Sequence, residues 1–182
     1  MHDYSAIARA ILAEYRLRPE GTHGVVHWAR VWDNGMRVAS ETGADAEVVR
    51  LFALFHDSRR ENEYHDDDHG LRGGELASSL RGTLVHLDPP RFELLYEACR
   101  LHTSGHTEGD PTLQACWDGD RLDLGRVGTM PAAHRLCTDA ARSMIPWAYK
   151  RSVQDHAPRR ILNAWGLDLT DSGEIAPLSA FG

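Results

Sequence analysis

The chain lacks most of what marks a secreted, membrane-bound or nucleic-acid-binding protein. No apolar stretch approaches the roughly 20 residues that a bilayer-spanning helix needs, and the polar start Met1-His2-Asp3-Tyr4 does not read as a signal peptide. A cytoplasmic protein with no membrane partner is the expectation. Cysteine is scarce: Cys99, Cys116 and Cys137 are odd in number, far apart and form no Cys-x-x-Cys, which excludes a disulfide framework or a thiolate zinc site. Positive charge is in the minority, with 20 Lys and Arg against 27 Asp and Glu for a net charge of −7. That balance argues against nucleic acid as a partner, while a local basic pocket remains able to grip a phosphate. There is no His-Glu-x-x-His, Gly-x-Ser-x-Gly or Gly-x-Gly-x-x-Gly, and the glycines between Gly70 and Gly74 lack the Gly-Lys-Ser/Thr of a phosphate-cradling loop. Period-2 alternation is confined to Thr83–Leu87, and no repeat or linker interrupts the chain.

What is abundant is histidine, eleven in 182 residues, on a composition otherwise ordinary for one globular domain with 42% hydrophobic and 26% charged residues. The pattern around the histidines is helical throughout. Ser5 to Arg16 carries Ile7, Ala8, Ile11, Leu12 and Tyr15 on one stripe. A second helix is predicted over Val25–Glu41 with Gly43 as its stop. A third starts behind Asp45 as N-cap, with Glu47 in its first turn, and runs through an almost wholly apolar segment to His56-Asp57. Further helices are predicted over His69–Leu80, from Pro89-Pro90 to His102, from near Thr112, over Ala133–Gln154 with a kink at Pro146, and over Pro158–Trp165. The fold class is all-α, in a single domain with a motif-bearing core at about 22–128, C-terminal helices at 133–166 and a loosely ordered tail at 167–182.

His56-Asp57 is the most informative pair. An imidazole beside a carboxylate at the end of a buried helix is costly unless something offsets the desolvation, and a divalent cation does so where the helix dipole already favours positive charge. His27 shares its stripe with Val31 and Val38, so it faces inward. His102 follows Leu95, Ala98 and Cys99 on an inward face. His69 opens a helix on which Gly73, one turn later, leaves room for another element. Among the acids of the sixth helix, Asp120 shares a face with Leu113, Cys116, Trp117 and Leu124, whereas Asp118 shares one with Gln114, Arg121 and Leu122; Asp120 is expected to be the deeper carboxylate and the ligand. The bland readings are a loop role for His23, surface or loop positions for His2, His65, His86, His134 and His156, and a solvated helix cap for Asp66-Asp67-Asp68. His106 is the weaker alternative to His102 because Gly105 breaks the helix before it. Trp28 and Trp32, one turn apart, belong to the core.

His27-Trp28-Ala29-Arg30-Val31, then His56-Asp57, then Asp120-Arg121-Leu122-Asp123 resembles the H…HD…D signature of the HD-domain metal-dependent phosphohydrolases. His69-x-x-x-Gly73 and His102 resemble the longer H…HD…H…H…D form of members that hold two metals. The resemblance spans about residues 25–127 and implies an HD-domain helical bundle. It makes His27, His56, Asp57 and Asp120 the ligands of a first metal, with Asp57 bridging to a second held by His69 and His102. Such ligands suit Mn²⁺, Fe²⁺, Co²⁺, Ni²⁺ or Zn²⁺, with Mg²⁺ still open, as one or two ions. The implied reaction is attack of an activated water on the phosphoester of a small phosphorylated compound, nucleotides included.

Arg30, Arg59, Arg60 and Arg121 adjoin ligands in sequence and are candidates to neutralise substrate phosphate, Arg30 and Arg60 foremost. Glu61 and Asp123 are the candidate general bases. The chain departs from some nucleotide-hydrolysing relatives, which place a glutamate three residues after the HD aspartate; here Arg60 stands there and Glu61 follows. The Gly-Tyr-Pro element of cyclic-dinucleotide phosphodiesterases is absent. The same ligands also admit a two-iron oxygenase that cleaves C–C or C–P bonds, or a non-catalytic nucleotide- or metal-binding protein. A homo-oligomer is left open.

Overall fold

Why the chain folds as a bundle is visible in how its helices begin. Asp3, Asp45, Asp88, Asp110 and Thr138 each accept a hydrogen bond from a backbone N–H in the first turn of the helix that follows, and Pro89 and Pro111 occupy first helical positions, where a missing N–H costs nothing. The computed structural model describes residues 2–178. Among them, eight α-helices follow in order: α1 (Tyr4–Leu12), α2 (Val25–Thr42), α3 (Ala46–Phe55), α4 (His69–Ser79), α5 (Pro89–Leu101), α6 (Pro111–Arg121), α7 (Asp139–Val153) and α8 (Arg159–Ala164).

The apolar run of α3 is central, with Val48, Val49 and Leu51–Phe55 all buried. Helices α2, α5 and α6 surround it, and Trp28, Trp117, Phe52 and Phe55 fill the space between them in one continuous core, so the chain is a single helical domain. Helix α2 crosses α6 in close contact. A Cβ on Gly119 would lie 3.0 Å from the Val31 carbonyl oxygen and from the Gly35 nitrogen. Only glycine lets the two backbones approach this closely. That contact brings the C-terminal end of α6, with Asp120, beside His27.

Several local expectations change. The first helix stops at Leu12 rather than Arg16, and residues beyond it form the loop into α2. Thr83–Leu87 is not a strand; an isolated bridge joins Arg81 to Val85, and Val85 and Leu87 are buried as core plugs. The segment predicted as one helix from Ala133 is a 3-10 turn at Ala133–Arg135 followed by α7, which runs through Pro146. Pro146 is on the exposed side of α7, where water can satisfy the carbonyl that loses its partner. The tail expected to be loose carries an antiparallel hairpin of β1 (Leu167–Leu169) and β2 (Ile175–Pro177), with Leu167 buried beside α8. Residues 179–182 of that tail lie outside the described residues. Trp28 is in the core as expected, while Trp32 packs edge-on between Tyr4 and Trp165.

Candidate metal centre

His56 and Asp57 follow directly on α3, and the geometry is organised around Asp57. Its Oδ2 is 3.5 Å from His27 Nε2 and 3.7 Å from His56 Nε2. Its Oδ1 is 3.1 Å from His69 Nε2 and 3.8 Å from His102 Nε2. One carboxylate therefore faces two histidine pairs, one with each oxygen. Within the pairs the Nε2 atoms are 3.1 Å apart for His27 and His56 and 2.9 Å apart for His69 and His102. Asp120 joins the first pair, with Oδ1 at 3.4 Å from His27 Nε2 and 3.9 Å from His56 Nε2. All six residues expected as ligands are thus brought together from α2, α4, α6 and the ends of α3 and α5. The four histidines and Asp57 are buried, whereas the Asp120 side chain is 16% exposed.

Glycine 73 is why α4 comes close enough. A Cβ there would stand 2.2 Å from the Phe55 carbonyl oxygen. The room anticipated beside Gly73 is filled by the end of α3, and His69 reaches the centre one turn earlier on the same helix.

The other ring nitrogens fix the chemistry. His27 Nδ1 donates to Asp123 Oδ2 at 2.7 Å. His56 Nδ1 donates to the carbonyls of Phe52 and Ala53 at 3.2 Å. His102 Nδ1 donates to the Cys99 carbonyl at 2.7 Å, and His69 Nδ1 to the Asp66 carbonyl. With every Nδ1–H directed outward, every Nε2 turns inward, the nitrogen a cation would take. Four imidazole Nε2 atoms and two carboxylates converge on one buried volume, with Arg60 as the neighbouring side-chain cation beside His69 and Asp57. Such a donor set fits a cation. The two triads His27–His56–Asp57 and Asp57–His69–His102 each have their ligating atoms within 4.8 Å of one another.

Protonation follows the same logic. Burial pushes His56 down to about 3, although Asp57 and Asp120 oppose the shift. Burial also opposes a charge on His27, but hydrogen bonds to Asp120, Asp123 and Asp57 win and push it up to about 9. In the metal-free protein a proton on His27 is the cation. For Asp57 burial favours the neutral acid, yet the surrounding imidazoles hold its carboxyl well below the usual range. Asp120 is likewise held low by His27, His56 and Arg126 against its burial.

The remaining sequence candidates separate clearly. Arg60 is at the centre: its Nη1 is 3.1 Å from His69 Nε2 and 3.5 Å from Asp57 Oδ1, and its Nη2 donates to the Tyr64 carbonyl at 2.6 Å. Arg30 stands behind His27, donating through Nε to Asp123 Oδ1 at 2.7 Å and through Nη1 to Asp155 at 2.9 Å. Glu61 is not brought to the centre; half-exposed, it pairs with Arg16. Arg59 turns away to Glu14 at 3.1 Å. Asp123 is present, but both its oxygens are spent on His27 and Arg30, so it orients a ligand and does not offer a free base.

Asp120 is not the deeper carboxylate of α6. Asp118 is the fully buried acid, and it accepts from Cys137 N at 2.7 Å, Thr138 N at 3.0 Å and Thr138 Oγ1 at 2.8 Å, tying α6 to the start of α7. Asp120 sits at the mouth instead. His23 is buried in its loop against Glu63 at 2.5 Å, and its carbonyl accepts from Trp28 Nε1. His106 is exposed and packs near Trp117. His2, expected at the surface, is buried: Nδ1 meets Glu47 at 2.6 Å, and Nε2 accepts from the His86 N–H at 2.8 Å. Asp68 makes no side-chain cap, while Asp66 pairs with Arg72. Arg126, 4.0 Å from both Asp120 and Asp123, had no sequence signal, because it lies on a 3-10 turn beyond α6 and outside any helical stripe.

The bundle gathers two histidine pairs about a shared aspartate, a donor set that could hold metal ions. The chain is similar to the crystal structure of a predicted HD superfamily hydrolase from an uncultured Thermotogales bacterium, with 28% sequence identity and a TM-score of 0.63 over 90% of this chain and 91% of that one. The likeness covers nearly the whole of both chains. No protein-family model matches the chain, and neither does any curated protein. No helix among the described residues is long and apolar enough to cross a membrane.

Proposed function

We propose that the protein is a metal-dependent hydrolase of the HD superfamily that cleaves the phosphoester of a small phosphorylated compound with water. The observation that carries this reading is the inward convergence of four Nε2 atoms with Asp57 and Asp120, each imidazole ring oriented by its Nδ1 hydrogen bond. His27, His56, Asp57 and Asp120 would hold one ion and Asp57, His69 and His102 a second. A bound Mn²⁺, Fe²⁺, Co²⁺, Ni²⁺, Zn²⁺ or Mg²⁺ supplies Lewis acidity and lowers the pKa of a coordinated water toward neutrality.

The chain supplies position and charge. Asp57 links both histidine pairs, so their relative placement is set by one side chain. Asp123 and Arg30 hold the His27 ring in its tautomer. Arg60, fixed by the Asn62 and Tyr64 carbonyls, presents a guanidinium beside Asp57 and His69 where it can bind a phosphoryl oxygen. The partly exposed Asp120 leaves the first pair open to a ligand, while the buried remainder excludes bulk water and strengthens electrostatics inside.

Elemental analysis of the purified protein, paired with an anaerobic screen of nucleotide and sugar phosphates across a metal panel, tests the reading. Hydrolysis without oxygen that is lost in Asp57→Ala supports it. An iron pair whose reaction requires O₂ would replace it with the oxygenase reading, which the shared aspartate accommodates equally well. Tight nucleotide binding without turnover across the whole panel would replace it with a sensor.

A further inference from the structure

Two clefts of different character adjoin the metal centre. One, about 190 Å³, reaches His27 and is lined by Arg30, Arg126 and Asp155. Its arginines are already committed, Arg30 to Asp123 and Asp155, and Arg126 to contacts of 4.0 Å with Asp120 and Asp123. The other, about 300 Å³, ends on His102 and Asp120, and its walls include Leu124, Leu136, Arg121 and Arg135. A further cleft, about 670 Å³ between α2 and α7, includes none of the six ligand residues.

The second of these clefts combines an apolar wall with unspent positive charge. Leu136 and Pro131 are buried, and Leu124 is half-buried. Neither Arg121 nor Arg135 has a carboxylate within 4.0 Å among the described residues, unlike Arg30, Arg60 and Arg126 around the centre. Arg121 Nη1 donates to the Arg135 carbonyl at 3.0 Å, which holds the two residues together, and its Nη2 is buried with no acceptor. The acid in this cleft, Asp120, belongs to the metal centre. Two cations beside an apolar wall, with no internal anion left to neutralise them, match a ligand that is compact, largely apolar in its middle and acidic at its far end.

Resting on the hydrolase reading, we propose that this cleft takes the body of the substrate, and that Arg121 and Arg135 bind a second acidic group on it, a carboxylate or a second phosphate. The preferred substrate is then a phosphoester with two anionic ends joined by a short, weakly polar body. Arg60 and the metal centre take the reacting end, and the arginine pair takes the other. A charge-assisted contact of this kind corresponds to roughly a 10–100-fold preference over a ligand without the second anion.

The test uses the metal-loaded protein and phosphonates, which are not hydrolysed. Calorimetric titration compares benzylphosphonate, 4-carboxybenzylphosphonate and para-xylylene bisphosphonate, the last two separating carboxylate from phosphate chemistry. At least tenfold tighter binding of one or both doubly acidic compounds is expected, with the advantage falling to under threefold in Arg135→Gln and in Arg121→Gln at unchanged metal content. Equal affinity of all three compounds for the wild type, or an advantage that survives in both variants, overturns the assignment. Because Arg135 is exposed, its replacement leaves the fold intact. Hydrolysis of phenyl phosphate and 4-carboxyphenyl phosphate, measured in parallel with the nucleotide and sugar phosphate panel, reports on the hydrolase reading by itself: preference with no hydrolysis of any of these upholds the arginine site and sinks that reading, whereas hydrolysis without preference does the reverse.

Discussion

Asp123 Oδ2 accepts a hydrogen bond from His27 Nδ1 across 2.7 Å, joining residues 96 positions apart in the chain. The contact ties the turn after α6 to the start of α2 and decides which nitrogen of His27 faces the centre. Arg30 Nε secures the other carboxylate oxygen at 2.7 Å, so the aspartate cannot swing away. A ligand held this way is both oriented and made more basic.

Asp123→Asn is therefore expected to weaken metal binding by about 10–100-fold without unfolding the protein. The amide can still accept from His27 through its oxygen, but it loses the charge and presents a donor to one of two neighbours that need an acceptor. Competition against a chromogenic chelator measures the affinity. A change of less than twofold would show that Asp123 is only a structural neighbour of His27.

Asp57 occupies the shared position, one oxygen toward each histidine pair. Replacing it with Ala should remove metal from both places. His102→Ala should spare the ion held by His27, His56, Asp57 and Asp120, while His27→Ala should lose that ion first. Metal-to-protein ratios on dialysed samples distinguish these outcomes. Full occupancy in Asp57→Ala would contradict the bridging geometry.

Residue type and order on helices carried most of this arrangement. His27, His56 and His102 were legible because each lies on or ends an apolar helical stripe, and a stripe reports which way a side chain faces. Depth along a helix was not legible in the same way. Asp118 and Asp120 both sit on α6, and their burial is decided by the loop of Cys137 and Thr138 folding over Asp118, a tertiary contact with no local signature. Glu61 failed for a related reason: it is near Asp57 in sequence, but the chain leaves α3 in turns that carry the side chain out to Arg16. The hairpin of β1 and β2 is too short for periodicity to reveal, and Gly173 at φ 81° between its strands is its main local cue.

Metal uptake should release a proton. Burial and Arg126 oppose a charge on His27, but Asp120, Asp123 and Asp57 outweigh them and push it up to about 9, whereas burial holds His56 neutral at about 3. The raised value on His27 stabilises the metal-free fold fully below its ordinary value of 6.5, and that contribution is lost as pH rises through about 9. A metal ion competes with the same proton, so apparent affinity should climb up to tenfold per pH unit below about 9 and level off above it. Titration calorimetry at pH 7.5 in two buffers of different ionisation enthalpy should give about one proton released per first ion. A pH-independent affinity with no proton release would show that His27 is neutral before the metal arrives.

Gly73→Ala separates the two halves of the centre. The added Cβ would lie 2.2 Å from the Phe55 carbonyl oxygen and 3.2 Å from that of His56. Both are backbone atoms at the buried C-terminal end of α3, so they cannot yield as a flexible side chain would, and α4 must move outward instead. Overpacking of this kind costs about 1–3 kcal/mol, readable as a lower denaturant midpoint. His69 opens the moving helix and retreats with it, whereas His27 and Asp120 come from α2 and α6, neither of which is among the near contacts of Gly73, and His56 stays anchored on the core-buried end of α3. The variant should consequently lose the ion between Asp57, His69 and His102 and keep the one beside Asp120. Two ions bound at wild-type affinity would mean that α4 absorbs the methyl group without moving, and that its close approach to α3 does not set the position of His69.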